Sequence, residues 1–243
     1  MSTAKWAVVL DFDGTLIPPS YGSLYDVIDT HGMSRKYHRR AEKMRNHYLA
    51  KAAETGLTRA EQKQWFADTV ALYADAGLTA GEIDRTLSGV QFRDGVGTCL
   101  LGLRAYGIPV AIVSYGIEQF IRAALVWRGL EFLIDNVYST RLTFDAYGKV
   151  VGFDPKTSVY PFNKGAFSRR FADVHGVPYR NILAVGDSPS GDRLLGHLKE
   201  NRFGLARTEE GRKKLLEVMG DVAIDAQSFA PATEWLLKKV SSR

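Results

Sequence analysis

Two aspartates follow the first apolar run of the sequence, at the point where a buried strand would end. Asp11 and Asp13 belong to residues 11–15 (DFDGT), directly after Trp6–Leu10. Asp11 can attack phosphorus and form an aspartyl-phosphate, while Asp13 can protonate the leaving oxygen and later deprotonate a water. Gly14, which follows Asp13, permits the tight turn of this segment. A calcium loop shares this fragment, but the preceding apolar run and the missing downstream glutamate argue against one.

Two further groups have the chemistry to hold a phosphate. Ser114 follows the apolar run 108–113, where a hydroxyl and free N–H groups at a helix start suit a phosphate oxygen. Lys164 stands at the start of a predicted helix, where the helix dipole disfavours a cation, so we expect an anion beside it. Each residue alone has an ordinary alternative: a serine N-cap, or a lysine in solvent.

A third apolar run, Asn181–Val185, leads into residues 186–192 (GDSPSGD). Asp187 and Asp192 in this loop suit Mg²⁺, which takes a few carboxylate oxygens together with water and substrate phosphate. An ordinary Asp-rich turn is the alternative.

The elements that must position these residues alternate between strand and helix. The three apolar runs are typical of buried parallel strands. Helical patterns cover 94–106, with Asp94 as N-cap, then 117–128 and 164–175, and residues 138–153 favour a β-hairpin. We therefore predict a doubly wound, Rossmann-like parallel α/β sheet. In such sheets the ligand lies at the carboxyl ends of the strands, which brings Asp11, Ser114 and Asp187 together.

Residues 18–93 interrupt this alternation. They contain no convincing strand and favour three or four helices, two of which open with capping boxes, Thr58 with Glu61 and Thr79 with Glu82. We predict a core domain of residues 1–17 and 94–243, with a helical cap of residues 18–93 inserted after the first strand.

Composition narrows the function classes. The chain has 243 residues, 45% hydrophobic and 24% charged, which suits a globular fold with a buried core. One cysteine excludes an internal disulfide. We find no membrane-spanning stretch and no signal-peptide pattern, and expect a cytoplasmic protein. The net charge of +5 favours anionic partners. Nucleic acid is an alternative partner that we do not expect. Salt-dependent affinity for DNA or RNA would support that alternative.

In chain order, four motifs resemble those of the haloacid dehalogenase-like (HAD) hydrolase superfamily over residues 6–192. The first motif contains Asp11 and Asp13, the second Ser114, the third Lys164, and the fourth Asp187 and Asp192. The resemblance implies Mg²⁺ as the cofactor and a role for each site residue. Asp13 is the acid that the dehalogenases lack, so phosphoryl transfer is favoured over carbon–halogen cleavage. The implied metal ligands are the side chains of Asp11 and Asp187 and the backbone carbonyl of Asp13. Asp192 would hold a metal-bound water or Lys164, and Ser188 is likewise expected next to the ligands without binding the metal itself. The implied phosphate ligands are Ser114, Tyr115 and Lys164.

Within the superfamily the sequence looks most like the pyrimidine 5′-nucleotidase group, and the stretches that carry this resemblance are Asp26–Asp29, Ile112–Gly116, Phe144–Phe153, Pro161–Lys164 and Gly186–Asp192. The phosphoserine phosphatases are the alternative, and a binding protein of this fold without turnover is a third. We expect the partner to be a small phosphorylated metabolite and the protein to be a monomer or homodimer. Three cap residues are candidates for substrate selection: Glu54 as the acid that recognises a base, and Tyr48 and Trp65 as stacking rings.

Overall fold

The computed structural model of the chain describes residues 5–188, 199–225 and 227–241, and within them the centre is one seven-stranded sheet. The strands are β1 Ala7–Leu10, β2 Val110–Ile117, β3 Asn136–Phe144, β4 Val150–Asp154, β5 Ile182–Gly186, β6 Arg202–Ala206 and β7 Asp221–Ile224. Their order across the sheet is β4-β3-β2-β1-β5-β6-β7. The β3–β4 hairpin is antiparallel, and the other neighbours are parallel.

The helices lie on both faces of this sheet and in an insertion. They are α1 Leu24–Val27, α2 Arg35–Thr55, α3 Arg59–Ala76, α4 Ala80–Leu87, α5 Val96–Ala105, α6 Glu118–Trp127, α7 Lys164–His175, α8 Glu209–Leu216 and α9 Ala230–Ser241. Helices α1–α4 follow β1 directly, and both expected capping boxes form at the starts of α3 and α4. The predicted fold class is therefore confirmed. The domain bounds 1–17 with 94–243, and 18–93, stay a prediction.

The central strands are buried on both faces, which explains their unbroken apolar sequences. Alternate residues of β1 enter different clusters: Val8 and Leu10 join the cluster that includes side chains of α5, α6 and α9, whereas Ala7 and Val9 pack with Phe171 of α7. All four β1 side chains have no exposed surface. Burying an aliphatic side chain of this kind stabilises the fold by about 1.5–3 kcal/mol relative to exposure.

Several local expectations need correction. Asp94 is not the N-cap of α5, because the helix begins at Val96 after Gly95, whose φ is 87°. The backbone of Asp94 pairs instead with the chain before α9: its N–H donates to the Gln227 carbonyl and its own carbonyl accepts from Phe229. Strand β2 also continues through residues 114–117, past the expected strand end. Strands β6 and β7 and helices α8 and α9 had no sequence-based prediction.

The inserted helices share the core of the sheet. Phe66, Val70 and Tyr73 of α3 belong to the same buried cluster as β1 and β2. Asp29, which follows α1, is 6% exposed and accepts a hydrogen bond of 3.0 Å from the Tyr73 hydroxyl. Burial raises the pKa of Asp29 to about 6, although the Tyr73 bond and the nearby Arg45 charge act to lower it. Ionisation of Asp29 therefore lowers the stability of the folded state.

Across the described ranges, none of the helices combines the length and apolar character needed to cross a bilayer.

Replacing Asp29 tests this balance. Because the folded state binds the Asp29 proton more tightly than the unfolded chain, the wild type is penalised as pH rises from about 4 through about 6. Asp29→Asn keeps an acceptor for Tyr73 and removes the penalty, which is at most about 3 kcal/mol. We expect the variant's gain in Tm over wild type to be near zero at pH 4 and to grow until pH 7.

The exposed Asp173→Asn is the matched control, and its Tm difference from the wild type should not change with pH. A pH-independent difference for Asp29→Asn would contradict the assignment.

Candidate active site

The carboxyl ends of three adjacent strands, β2, β1 and β5, form one rim of the sheet. Asp11 follows β1, Asp187 follows β5, and Ser114 lies within β2, three residues before the end of the strand. All three line one cavity of about 450 Å³, together with Asp13 and Lys164. The structure therefore brings together the predicted site residues that strand ends supply.

Lys164 and Asp11 form a buried ion pair at the floor of this cavity. The Lys164 ammonium donates to Asp11 Oδ2 over 2.5 Å, and the two residues are 1% and 7% exposed. Lys164 is the first residue of α7, and the turn before it is held by Asn163, which bonds the backbone of Tyr160 and Ser158. Removing one partner of a buried pair leaves an uncompensated charge, at a cost of about 3–5 kcal/mol.

Asp13 is held by the first turn of the inserted helices. Its Oδ1 accepts from the backbone N–H of Leu24, the first residue of α1, over 2.9 Å. Burial is the main cause that raises the pKa of Asp13 to about 7, with smaller contributions from Asp11 and Asp187, while the Leu24 bond opposes it. Near neutral pH both protonation states of Asp13 are thus populated, as a general acid and base requires.

Asp187 packs tightly against the loop that carries Asp11 and Asp13. The Thr15 hydroxyl approaches Asp187 Oδ1 at 3.5 Å. Gly14 has a φ of 75°, and a Cβ added there would overlap the Asp187 carboxylate. Burial, and then the Asp11 charge, raise the pKa of Asp187 to about 6. A glycine is needed at position 14 both for the turn and for this close approach.

These carboxylates fit a Mg²⁺ ion of the kind that the family resemblance implies. Asp11 and Asp187 repel each other inside a partly buried site, so a cation between them is electrostatically favoured. No cluster of three or more His, Cys, Asp or Glu side chains suited to a metal exists among the residues that the structure describes. Two carboxylates with one backbone carbonyl match the preference of Mg²⁺ for few protein ligands and several waters.

The second motif occupies an irregularity in β2. Register against β3 shifts between Val113 and Ile117, and Ser114 Oγ accepts from the Gly116 N–H over 3.1 Å. Such bulges re-aim side chains at the ends of strands. A Cβ added at Gly116 would lie 3.8 Å from Asp13 Oδ2, so this segment borders the first motif.

Tyr115 points toward the inserted helices. Its hydroxyl donates to the Gln62 carbonyl of α3 over 2.9 Å, and its carbonyl accepts from the Tyr25 hydroxyl. Tyr115 also lines the cavity. Its predicted contact with phosphate stays a prediction, and the structure gives its hydroxyl a different partner.

The remaining sequence-based candidates differ in their placement. Ser188 is half-buried and lines the cavity, and Asp192 lies outside the described residues. Glu54 is exposed in the last turn of α2, and neither it nor Tyr48 is among the described residues that line the cavity. Trp65 does line it. Tyr48 stacks on the Trp65 ring, with centroids 5.3 Å apart, so its contact with the cavity is through Trp65.

Sequence analysis missed an arginine in the cavity wall. Arg45 lines the cavity beside Met44 and Leu49 of the same helix, and its Nη1 donates to Asp26. Asp26 is fixed by a capping box with Ser23 at the start of α1. The Ser-x-x-Asp spacing was the available signal for the helix start. Arg45 lies in the basic stretch of residues 31–51, and because such charge runs are usually solvent-exposed helix faces, the stretch gave no signal for a cavity residue.

Comparison with known proteins places the chain in a family. Residues 8–195 match the family model described as haloacid dehalogenase-like hydrolase. A phosphoserine phosphatase of Streptomyces coelicolor is 31% identical over 115 residues. That match covers 46% of this chain and 26% of the relative, so the chain spans about a quarter of that protein's length.

Solved structures share the fold over nearly the whole chain. Cytosolic 5′-nucleotidase IIIB bound to cytidine superposes with a TM-score of 0.75 at 19% identity, covering 98% of this chain and 86% of that one. A phospho-aspartyl intermediate analogue of phosphoserine phosphatase gives 0.70 at 18% identity, with coverages of 95% and 98%. At these identities the likeness establishes the fold. Because the family model spans most of the sequence, the chain belongs to the haloacid dehalogenase-like hydrolase family.

Proposed function

We propose that this protein is a Mg²⁺-dependent phosphatase that hydrolyses a small phosphomonoester through an aspartyl-phosphate on Asp11. The observation that carries the proposal is the buried Lys164–Asp11 pair at the floor of a cavity that Asp13 also lines. The pair orients the Asp11 carboxylate, and the raised pKa of Asp13 lets that residue hold a proton close by.

The chemistry needs two steps. Asp11 attacks phosphorus in line, the new O–P bond forms as the bond to the leaving oxygen breaks, and Asp13 gives that oxygen its proton. Water then attacks the phosphorus of the aspartyl-phosphate while Asp13 accepts a proton from that water. The bond between Asp11 and phosphorus breaks, which releases inorganic phosphate and the free Asp11 carboxylate. Lys164 and Ser114 hold the phosphoryl oxygens throughout. Asp11, Asp187 and the Asp13 carbonyl would hold Mg²⁺, which would supply positive charge that stabilises the phosphoryl group.

The cavity wall supports a leaving group with a flat apolar part. The inserted helices contribute the apolar side chains of Met44, Leu49, Trp65 and Phe66 to this wall, and Arg45 lines the same cavity. Such a wall suits a ring stacked on Trp65 with a carbonyl that accepts from Arg45. We therefore propose a nucleoside 5′-monophosphate as the substrate. The fold likeness to a 5′-nucleotidase bound to cytidine supports this choice.

A phosphoamino acid is the second candidate. Asp26 and Asp29 line the cavity beside Arg45, so the wall offers carboxylates for an ammonium group and a guanidinium for a carboxylate. The Streptomyces relative is a phosphoserine phosphatase.

Removing the nucleophile tests the reaction. Asp11→Asn should lower kcat for p-nitrophenyl phosphate at least about 1,000-fold, because the amide cannot form the covalent intermediate. A chelator should abolish wild-type turnover, and added Mg²⁺ should restore it. Asp173→Asn is the control with unchanged activity, since Asp173 is an exposed residue of α7. Undiminished turnover by a folded Asp11→Asn variant would refute the proposal.

Arg45 and a substrate panel test the choice of substrate. We expect nucleoside monophosphates to have a higher kcat/KM than phosphoserine. Arg45→Met should raise KM for the preferred nucleotide about 10-fold or more, which is the cost of losing a charged hydrogen bond. Turnover of p-nitrophenyl phosphate, which lacks the acceptor, should change little.

Arg40→Met is the matched control. Arg40 lies in the same helix and pairs with Asp75 on the exposed surface. Equal effects of the two substitutions on KM, or a preference for phosphoserine, would contradict the nucleotide assignment.

A further inference from the structure

Arg93 is a fully buried cation next to the first motif. It is 2% exposed and is among the largest side chains that the fold encloses. Its Nη2 donates to the Gly14 carbonyl and its Nη1 to the Asp225 carbonyl, each over 2.7 Å. One guanidinium thus joins the loop after β1 to the loop after β7. In the described parts of the chain its Nε meets no hydrogen-bond partner.

We propose that Arg93 is a positioning residue that holds the loop of residues 11–15 in its active geometry through the Gly14 carbonyl. The inference rests on the proposed function, because it assigns to Arg93 a role in aligning Asp11 and Asp13 for that reaction. Arg93 acts through the backbone and touches neither the phosphate nor the leaving group.

The loop needs such a restraint because its turn depends on a glycine. Gly14 has the widest conformational freedom of any residue type, yet its peptide must orient Asp13 on one side and Thr15 on the other. Thr15 in turn approaches Asp187. A charged hydrogen bond to the Gly14 carbonyl fixes the plane of the peptide that joins Gly14 to Thr15. The restraint on residues 11–15 therefore comes from a residue 79 positions away in the sequence.

Stability alone does not explain an arginine at this place. Burial lowers the pKa of Arg93, which reflects the cost of enclosing its charge. Apolar side chains of similar volume replace buried charged groups with neutral or favourable effects on stability in many proteins. Two carbonyls in different loops are instead what a planar fork with several donors can bridge and what a lysine cannot.

Arg93 also stands where the inserted segment returns to the sheet. Its backbone N–H donates to the Leu16 carbonyl over 2.8 Å, so the outgoing and returning chains pair at this point. The same residue therefore links the insertion, which carries the substrate wall, to the loop that carries the nucleophile. A substitution at Arg93 would remove the side-chain contact with Gly14 but not the backbone bond to Leu16, so it would act on Asp11 and Asp13 and leave the residues of the wall unchanged.

The test compares Arg93→Met and Arg93→Lys with Arg128→Met. Arg128 donates from Nε to the Val90 carbonyl over 2.7 Å, so it is an arginine-to-carbonyl contact near the same junction but away from Gly14. For folded protein, we expect Arg93→Met to lower kcat for p-nitrophenyl phosphate about 100-fold with KM changed less than about 3-fold, as misplacement of reacting groups does. Arg93→Lys should lose nearly as much, and Arg128→Met should keep its kcat.

Hydrogen exchange of the peptide that covers residues 11–17 gives a readout independent of turnover. Both Arg93 variants should exchange faster there than the wild type, and Arg128→Met should not. A folded Arg93→Lys with wild-type exchange and wild-type kcat would overturn the inference, and this variant decides the matter if Arg93→Met does not fold. A wild type inactive on every phosphomonoester would refute the proposed function, while the exchange result would still decide whether Arg93 holds the loop.

Discussion

Carboxylates of like charge can stay together at a buried rim only while positive charge offsets them. Lys164 neutralises Asp11 directly, and Arg93 and Arg207 act on Asp187 from a greater distance. This requirement explains why a lysine occupies the start of a helix, where the helix dipole opposes it. It also explains why an arginine is enclosed beside the same loop. The site is therefore built around charge balance, to which a divalent cation would add.

The inserted helices contact the residues at the strand ends and also form part of the cavity wall. The N-terminus of α1 supplies the N–H that holds Asp13, and α3 supplies the carbonyl that receives the Tyr115 hydroxyl. Because buried side chains of α3 share one cluster with the sheet, these contacts rest on apolar packing. A change in the position of the insertion would thus alter the contact that holds Asp13.

Helix α2 carries basic side chains in two different surroundings. Arg40 pairs with Asp75 at the surface, whereas Arg45 faces the cavity with Asp26 as its partner. An α-helix has about 3.6 residues per turn, so side chains five positions apart point in different directions. Arg40 and Arg45 therefore have different surroundings although both belong to one basic stretch. Family membership accounts for the strand-end motifs, and under the proposed function this wall of α2 and α3 would select among phosphomonoesters.

Local sequence was sufficient for the features that depend on near neighbours. Apolar runs predicted β1, β2 and β5, and the capping boxes at Thr58 and Thr79 formed as expected, because they join residues three apart. Ligands of open α/β sheets lie at the carboxyl ends of the strands, and this rule predicted from sequence that Asp11, Ser114 and Asp187 lie close together. The bond from Leu24 to Asp13, the Arg93 contact with Gly14 and the direction of Arg45 came from tertiary structure alone. Each depends on how the insertion packs against the sheet, and no periodicity within a single segment encodes that packing.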